Sequence, residues 1–134
     1  MQPFEWSETY SVGIPELDIQ HRQLMELIGD VTRCANSGDS VSLAPIALKR
    51  VADYAERHLL REELVLRVRG YPDYVDHKAE HDAFRLKVAT LRTQSDRRDF
   101  AVRIASFLNE WWRSHVLISD QEYARYFSRH PSGP

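Results

Sequence analysis

Five histidines and two carboxylates of this chain are spaced as metal ligands are. His77 and His81 bracket "HKAEH" and lie four residues apart, so on a helix they share one face. Glu62 follows His58 by four residues, and Asp120 follows His115 by five. His21 stands alone in "LDIQH". Neutral imidazole and carboxylate together suit a transition-metal ion. One such pair arises easily by chance, so the elements that carry the residues must decide.

Four segments show helical periodicity and none shows sustained strand alternation. The first is expected over about 16–37, with a stripe of Leu17, Leu24, Leu27, Ile28 and Val31, ended by "NSGDS" (36–40). The second is expected over about 42–69, with Pro45 in its first turn. Its stripe is Leu48, Val51, Ala52, Ala55, Leu59 and Val65 or Leu66. "GYPD" (70–73) offers Gly70 as a helix C-cap and Pro72 for the first turn of the third helix, about 72–94, with a stripe of Val75, Ala79, Phe84, Val88 and Leu91. Ser95 or Asp96 is expected to cap the fourth helix, whose stripe is Phe100, Ile104, Phe107, Leu108 and Trp111. The pattern breaks near 117–120, and a short helical turn is expected through Tyr126.

These elements predict an all-α, antiparallel up-down-up-down four-helix bundle, a single domain over 1–134. An extended arm holding Phe4, Trp6, Tyr10, Val12 and Ile14 precedes it (1–15), and a frayed tail follows (129–134). Heights can be counted from the turn at Gly70–Pro72. At about 1.5 Å per residue, Glu62 and His58 stand roughly 12 and 18 Å up the second helix, and His77 and His81 roughly 7 and 13 Å up the third. His21 lies near the start of the first helix, while His115 and Asp120 lie at the end of the fourth. All seven converge on one end of the interior. His130 belongs to the tail.

Two carboxylates in an apolar interior need positive charge beside them, and no Lys or Arg shares these faces. Metal cations would supply it. Seven ligands exceed the about four of a structural zinc site. They suit two six-coordinate first-row metals with bridging carboxylates, and imidazole points to iron rather than calcium or magnesium. With a bridging oxygen atom as well, one coordination position is left for a small ligand. No histidine has Glu three residues before it, which excludes the ferritin-like di-iron motif. HExxH, Gly-rich phosphate loops and GxSxG are also absent.

A formal net charge of -2 gives no sign of a nucleic-acid partner. No apolar run approaches the roughly 20 residues of a membrane span. "MQPFEWSETYSVGIPELD" lacks the pattern of a secretory signal, so a cytoplasmic location is expected. The single cysteine, Cys34, excludes an intrachain disulfide and thiolate clusters and reads as a buried small side chain.

With those residues in hand, the chain resembles a hemerythrin, specifically a single-domain bacteriohemerythrin. "SVGIPELDIQH" (11–21), "HLLREE" (58–63), "GYPDYVDHKAEH" (70–81) and "WWRSHVLISDQEY" (111–123) carry the resemblance. It implies one iron bound by His77, His81 and His115 and a second bound by His21 and His58. Glu62 and Asp120 would bridge them beside an oxo or hydroxo group. It also implies reversible binding of dioxygen at the open position of the second iron, and of small anions such as azide in the ferric state. The oxygen pocket would be lined by Leu59, Trp112 and Val116.

Two positions depart from the family pattern. Leu59 stands where phenylalanine is frequent, and "WW" replaces the usual "WL" ahead of His115. Trp112 could narrow the pocket, hydrogen-bond a ligand, or swing away. Trp6 and Trp111 read as packing anchors, and the arginine-rich stretch 57–69 as a solvated face that could dock a reductase. Two functional classes follow. One is a non-catalytic oxygen-binding protein for delivery, storage or sensing. The other is a di-iron redox enzyme acting on peroxide or nitric oxide. The first is better supported, because the expected pocket contains no acid–base residue and no catalytic side chain is assigned.

Overall fold

The computed structural model describes residues 5–37 and 40–131. Phe4 of the arm, Gly38 and Asp39 of the first turn, and residues 132–134 of the tail lie outside the described residues. The elements are α1 (Pro15–Ala35), α2 (Ser40–Val68), α3 (Tyr74–Arg92), α4 (Phe100–Trp111), a π-helical segment (Trp112–Ser119) and α5 (Asp120–Arg129). No strand occurs among the described residues. α1 packs on α2 and α4, α2 on α3, and α3 on α4, which closes the expected up-down-up-down bundle.

The arm is not uniformly extended. Ser7 accepts from the Thr9 amide and starts a single 3₁₀ turn, Glu8–Tyr10. Asp18 then fastens the arm to α1, its carboxylate accepting from the Ser11 hydroxyl and the Val12 amide. The turn at 70 follows the glycine logic. Gly70 has φ 71°, its amide donates to the Arg67 carbonyl, and the Tyr71 amide donates back to the Leu66 carbonyl. That pair of bonds is a Schellman cap, with Tyr71 and Leu66 in the same apolar cluster.

Four expectations are corrected. α2 begins at Ser40, so Pro45 is inside the helix rather than in its first turn. Pro72 belongs to the turn, because α3 begins only at Tyr74 behind Asp73. α4 is preceded by Asp99, not by Ser95 or Asp96, and the intervening residues form successive tight turns. Asp99 gives no side-chain cap; its carboxylate is held by Arg97 at 3.2 Å. Finally, the break near 117–120 is a π-helical register, and the helix runs on through Arg129 rather than ending in a short turn.

The core is divided in two. The larger cluster includes Leu24, Ile28, Leu48, Ala55, Leu59, Ile104, Leu108 and Trp112. The smaller contains Val12, Leu17, Leu66, Tyr71, Tyr123 and Phe127 at the opposite end. Between them, along each helix, fall the polar residues: His21 between Leu17 and Leu24, Glu62 between Leu59 and Leu66, Asp120 between Val116 and Tyr123. On α3 the expected stripe fails at its start. Val75 is 76% exposed and Ala79 is exposed, while His77 and His81 take the inward positions ahead of Phe84 and Val88. A polar interior carries no apolar signal, so hydrophobic periodicity misreads that half of the helix.

Candidate metal centre

All seven residues expected to ligate are brought together, and each is at most 3% exposed. The Nε2 atoms of the five imidazoles turn inward onto the two carboxylates. Glu62 divides its oxygens. Its Oε1 lies 2.8 Å from His77 Nε2 and 2.9 Å from His81 Nε2, while Oε2 lies 3.3 Å from His58 Nε2 and 3.4 Å from His21 Nε2. Asp120 does the same. Its Oδ1 is 3.0 Å from His77 and 3.1 Å from His115, and Oδ2 is 3.1 Å from His21. Each carboxylate thus straddles two groups of imidazoles. Glu62, His77, His81 and His115 could hold one ion, and His21, His58, Glu62 and Asp120 another, with ligand atoms within 4.8 Å of one another in each set.

The π-helical segment makes part of this possible. Five residues along an α-helix turn a side chain about 140° away from its starting face. Here the Asp120 amide bonds to the His115 carbonyl, the i→i−5 register that widens the turn and returns both side chains to one face.

Three of the histidines are aimed by partners the sequence reading missed. His58 Nδ1 donates to Gln20 Oε1 at 2.7 Å, His81 Nδ1 to Glu63 Oε2 at 2.7 Å, and His115 Nδ1 to Glu80 Oε1 at 3.0 Å. Each acceptor sits next to a site residue on its own helix and serves a histidine of the next helical stretch. That adjacency is the signal that could have found them. A neighbour of an inward residue is rotated about 100° and so reaches across the interhelical seam. Tyr123, three residues after Asp120, donates to Glu62 Oε2 at 2.9 Å. Trp111 is more than an anchor, since its ring stacks on His115 at 5.0 Å and 10°.

The donor set fits a cation. With each Nδ1 turned outward to Glu63 or Glu80, the Nε2 atoms of His81 and His115 face each other across 3.0 Å. His21 Nε2 and both Asp120 oxygens are buried without an aligned hydrogen bond, although His21 Nε2 lies 3.1 Å from Asp120 Oδ2. Without a cation, protons take its place. Burial opposes charge on His21 and His77, but the Asp120 and Glu62 carboxylates overcome it and raise both to about 9. Burial and the neighbouring His21 depress His58. Glu62 and Asp120 are held below the usual carboxylate range by the surrounding histidines, against the cost of burial.

Leu59, Trp112 and Val116, expected to line a pocket, are wholly buried in the larger cluster. Trp112 does not swing away. Its ring meets His21 edge-on at 6.4 Å, with Tyr10 against it at 6.2 Å. His130 is exposed, as expected, and stacks on Tyr126. No helix among the described residues is long and apolar enough to cross a membrane.

Fold and site together define a four-helix protein with a buried histidine–carboxylate cluster that could hold metal ions. The family model described as the hemerythrin HHE cation binding domain matches residues 12–127. The chain is 27% identical to a bacteriohemerythrin of Stenotrophomonas maltophilia over 93% of its own length and 82% of that protein. It is 29% identical to a bacteriohemerythrin of Clostridium acetobutylicum, with 90% and 98% covered, and 30% identical to a hemerythrin-like protein of Naegleria gruberi, with 90% and 91% covered. A crystal structure of a hemerythrin point mutant superposes with a TM-score of 0.81 at 23% identity, covering 93% of this chain and 97% of that one. The chain belongs to the hemerythrin family.

Proposed function

We propose that this protein binds dioxygen reversibly at a non-heme di-iron centre, for oxygen delivery, storage or sensing. His77, His81 and His115 would hold one iron and His21 and His58 the other, with Glu62 and Asp120 shared and an oxo or hydroxo group between. Such a centre supplies two redox-active metals and one open position for a small ligand, dioxygen in the reduced state or azide in the ferric state.

The observation that carries this reading is the division of both carboxylates. Glu62 and Asp120 each offer one oxygen to either group of imidazoles, which a single-ion site would not require. The remaining side chains orient and shield. Gln20, Glu63 and Glu80 accept from Nδ1 and hold each Nε2 lone pair inward, as outer partners of metal-bound histidine do. Tyr123 donates to Glu62 and limits its rotation. Leu59, Trp112 and Val116 are wholly buried, and as the lining of the open position they would exclude water and anions. Trp112, edge-on to His21, narrows that approach.

The test is anaerobic reduction of iron-loaded protein followed by admission of air while the visible spectrum is recorded. A persistent adduct band that disappears under vacuum supports reversible binding. Immediate passage to the ferric spectrum contradicts it, and peroxide and nitric oxide then become the substrates to try.

A further inference from the structure

A surface cleft of about 240 Å³ reaches the centre at His77 and is lined by Tyr71, Asp73, Asp76, His77, Glu80 and Glu122. Its lining gathers four carboxylates. Elsewhere carboxylates are commonly paired with a cation, as in Asp30–Arg33, Asp53–Lys49, Asp82–Lys78, Glu16–Arg61 and Glu110–Arg113. Among the described residues, none of Asp73, Asp76, Glu80 and Glu122 is ion-paired to a Lys or Arg; Glu80 accepts from His115 and from the Ser119 hydroxyl. Arg125 and Arg129 line an adjoining cleft that shares Tyr71, Asp73 and Glu122 with this one, and neither arginine comes within ion-pair distance of these carboxylates. Tyr71 registers the local field. Burial first, then Asp73 and Glu122, push its hydroxyl up to about 12 despite Arg125.

The second observation is His77, only 3% exposed yet part of the cleft wall. Its Nε2 reaches Glu62 and Asp120 at 2.8 and 3.0 Å, while its Nδ1 has no hydrogen-bond partner, unlike those of His58, His81 and His115. One imidazole, untethered on its outer side, separates the acidic cleft from the metal cluster.

We propose that this cleft is the entrance by which divalent cations reach the centre. Asp73, Asp76, Glu80 and Glu122 concentrate the incoming ion, and His77 is the side chain that turns to admit it. Carboxylates lining one low-dielectric cleft focus their field and raise cation on-rates. The proposal rests on the reading of the cluster as a metal centre.

The experiment mixes metal-free protein anaerobically with cobalt(II) in a stopped-flow instrument and follows the visible absorption of the bound ion. The variant is Asp73→Asn with Asp76→Asn and Glu122→Gln; Glu80 is left because it holds His115. Asp73 makes no side-chain cap, so its change costs α3 little. The control neutralises Glu5, Glu26 and Asp96, exposed and remote from the cleft. The cleft variant is expected to reach the same final spectrum and stoichiometry, but about tenfold more slowly at low ionic strength. Added salt should slow the wild type and leave the variant nearly unchanged. Equal rates for variant and wild type, or an equal loss in the control, would overturn the entrance. If the wild type takes up no metal at equilibrium, the metal-centre reading fails and the entrance with it.

Discussion

His115 and Asp120 face each other at 3.1 Å across five residues of sequence because the helix between them is a π-helix. In an α-helix that spacing would turn one of them out of the site. The segment therefore contains one residue more than an α-helical path needs, and its spacing predicts opposite effects for two length changes. Deleting the exposed Ile118 leaves His115 and Asp120 four apart, an α-helical pair on one face. Metal analysis of that variant should still find two ions per chain. Inserting one alanine after Ile118 rotates Asp120, Tyr123 and Phe127 together, and metal content should fall to one ion or fewer. Equal metal loss in both variants would contradict the register argument.

Glu63 links the surface to the centre. It accepts from His81 Nδ1 at 2.7 Å, is ion-paired to Arg85 at 2.8 Å, and is itself buried. Glu63→Ala should weaken metal affinity about 10–100-fold by freeing the imidazole to reorient. Glu63→Gln, which can still accept, should lose less. Competition with a chelator measures both. Wild-type affinity in the alanine variant would remove Glu63 from the account.

Trp112 fills space beside His21. Trp112→Leu should leave metal content at two ions and change the rates of azide binding to the ferric protein and of oxygen binding to the reduced one. It should also cost roughly 1–3 kcal/mol of stability through lost packing. Wild-type ligand rates would show that the indole does not limit access.

Protons stand in for the cation in metal-free protein, so its stability should depend on pH. His21 and His77, raised from 6.5 to about 9, stabilise the fold fully below pH 6.5. That contribution is lost as pH rises through 9. Glu62 and Asp120, both lowered, contribute above the ordinary carboxylate range and lose it only in stronger acid. The metal-free melting temperature should therefore fall by several degrees between pH 6.5 and 9. Metal-loaded protein, with those lone pairs engaged, should show no such fall. A flat metal-free profile would contradict this.

Much of the bundle was legible because apolar stripes at threes and fours mark buried faces, and α1 and α4 present theirs as read. Where the interior is polar the signal disappears. Val75 and Ala79 were assigned inward, yet His77 and His81 occupy those positions. The ligands were legible because few residue types ligate metal and their i, i+4 spacings survive in sequence. Gln20, Glu63 and Glu80 were not. Their roles depend on a neighbouring helix, and a polar residue beside an inward one is ordinarily a solvated one. The π-helix left only a loss of pattern near 117–120, which a chain end would leave as well.

The central claim is a pair of metals sharing Glu62 and Asp120, and the most direct test is anomalous diffraction from crystals of the protein loaded with excess iron(II). The account predicts two iron peaks, one adjoining His77, His81 and His115, the other His21 and His58, both in reach of the two carboxylates. A single peak, or none, would contradict it.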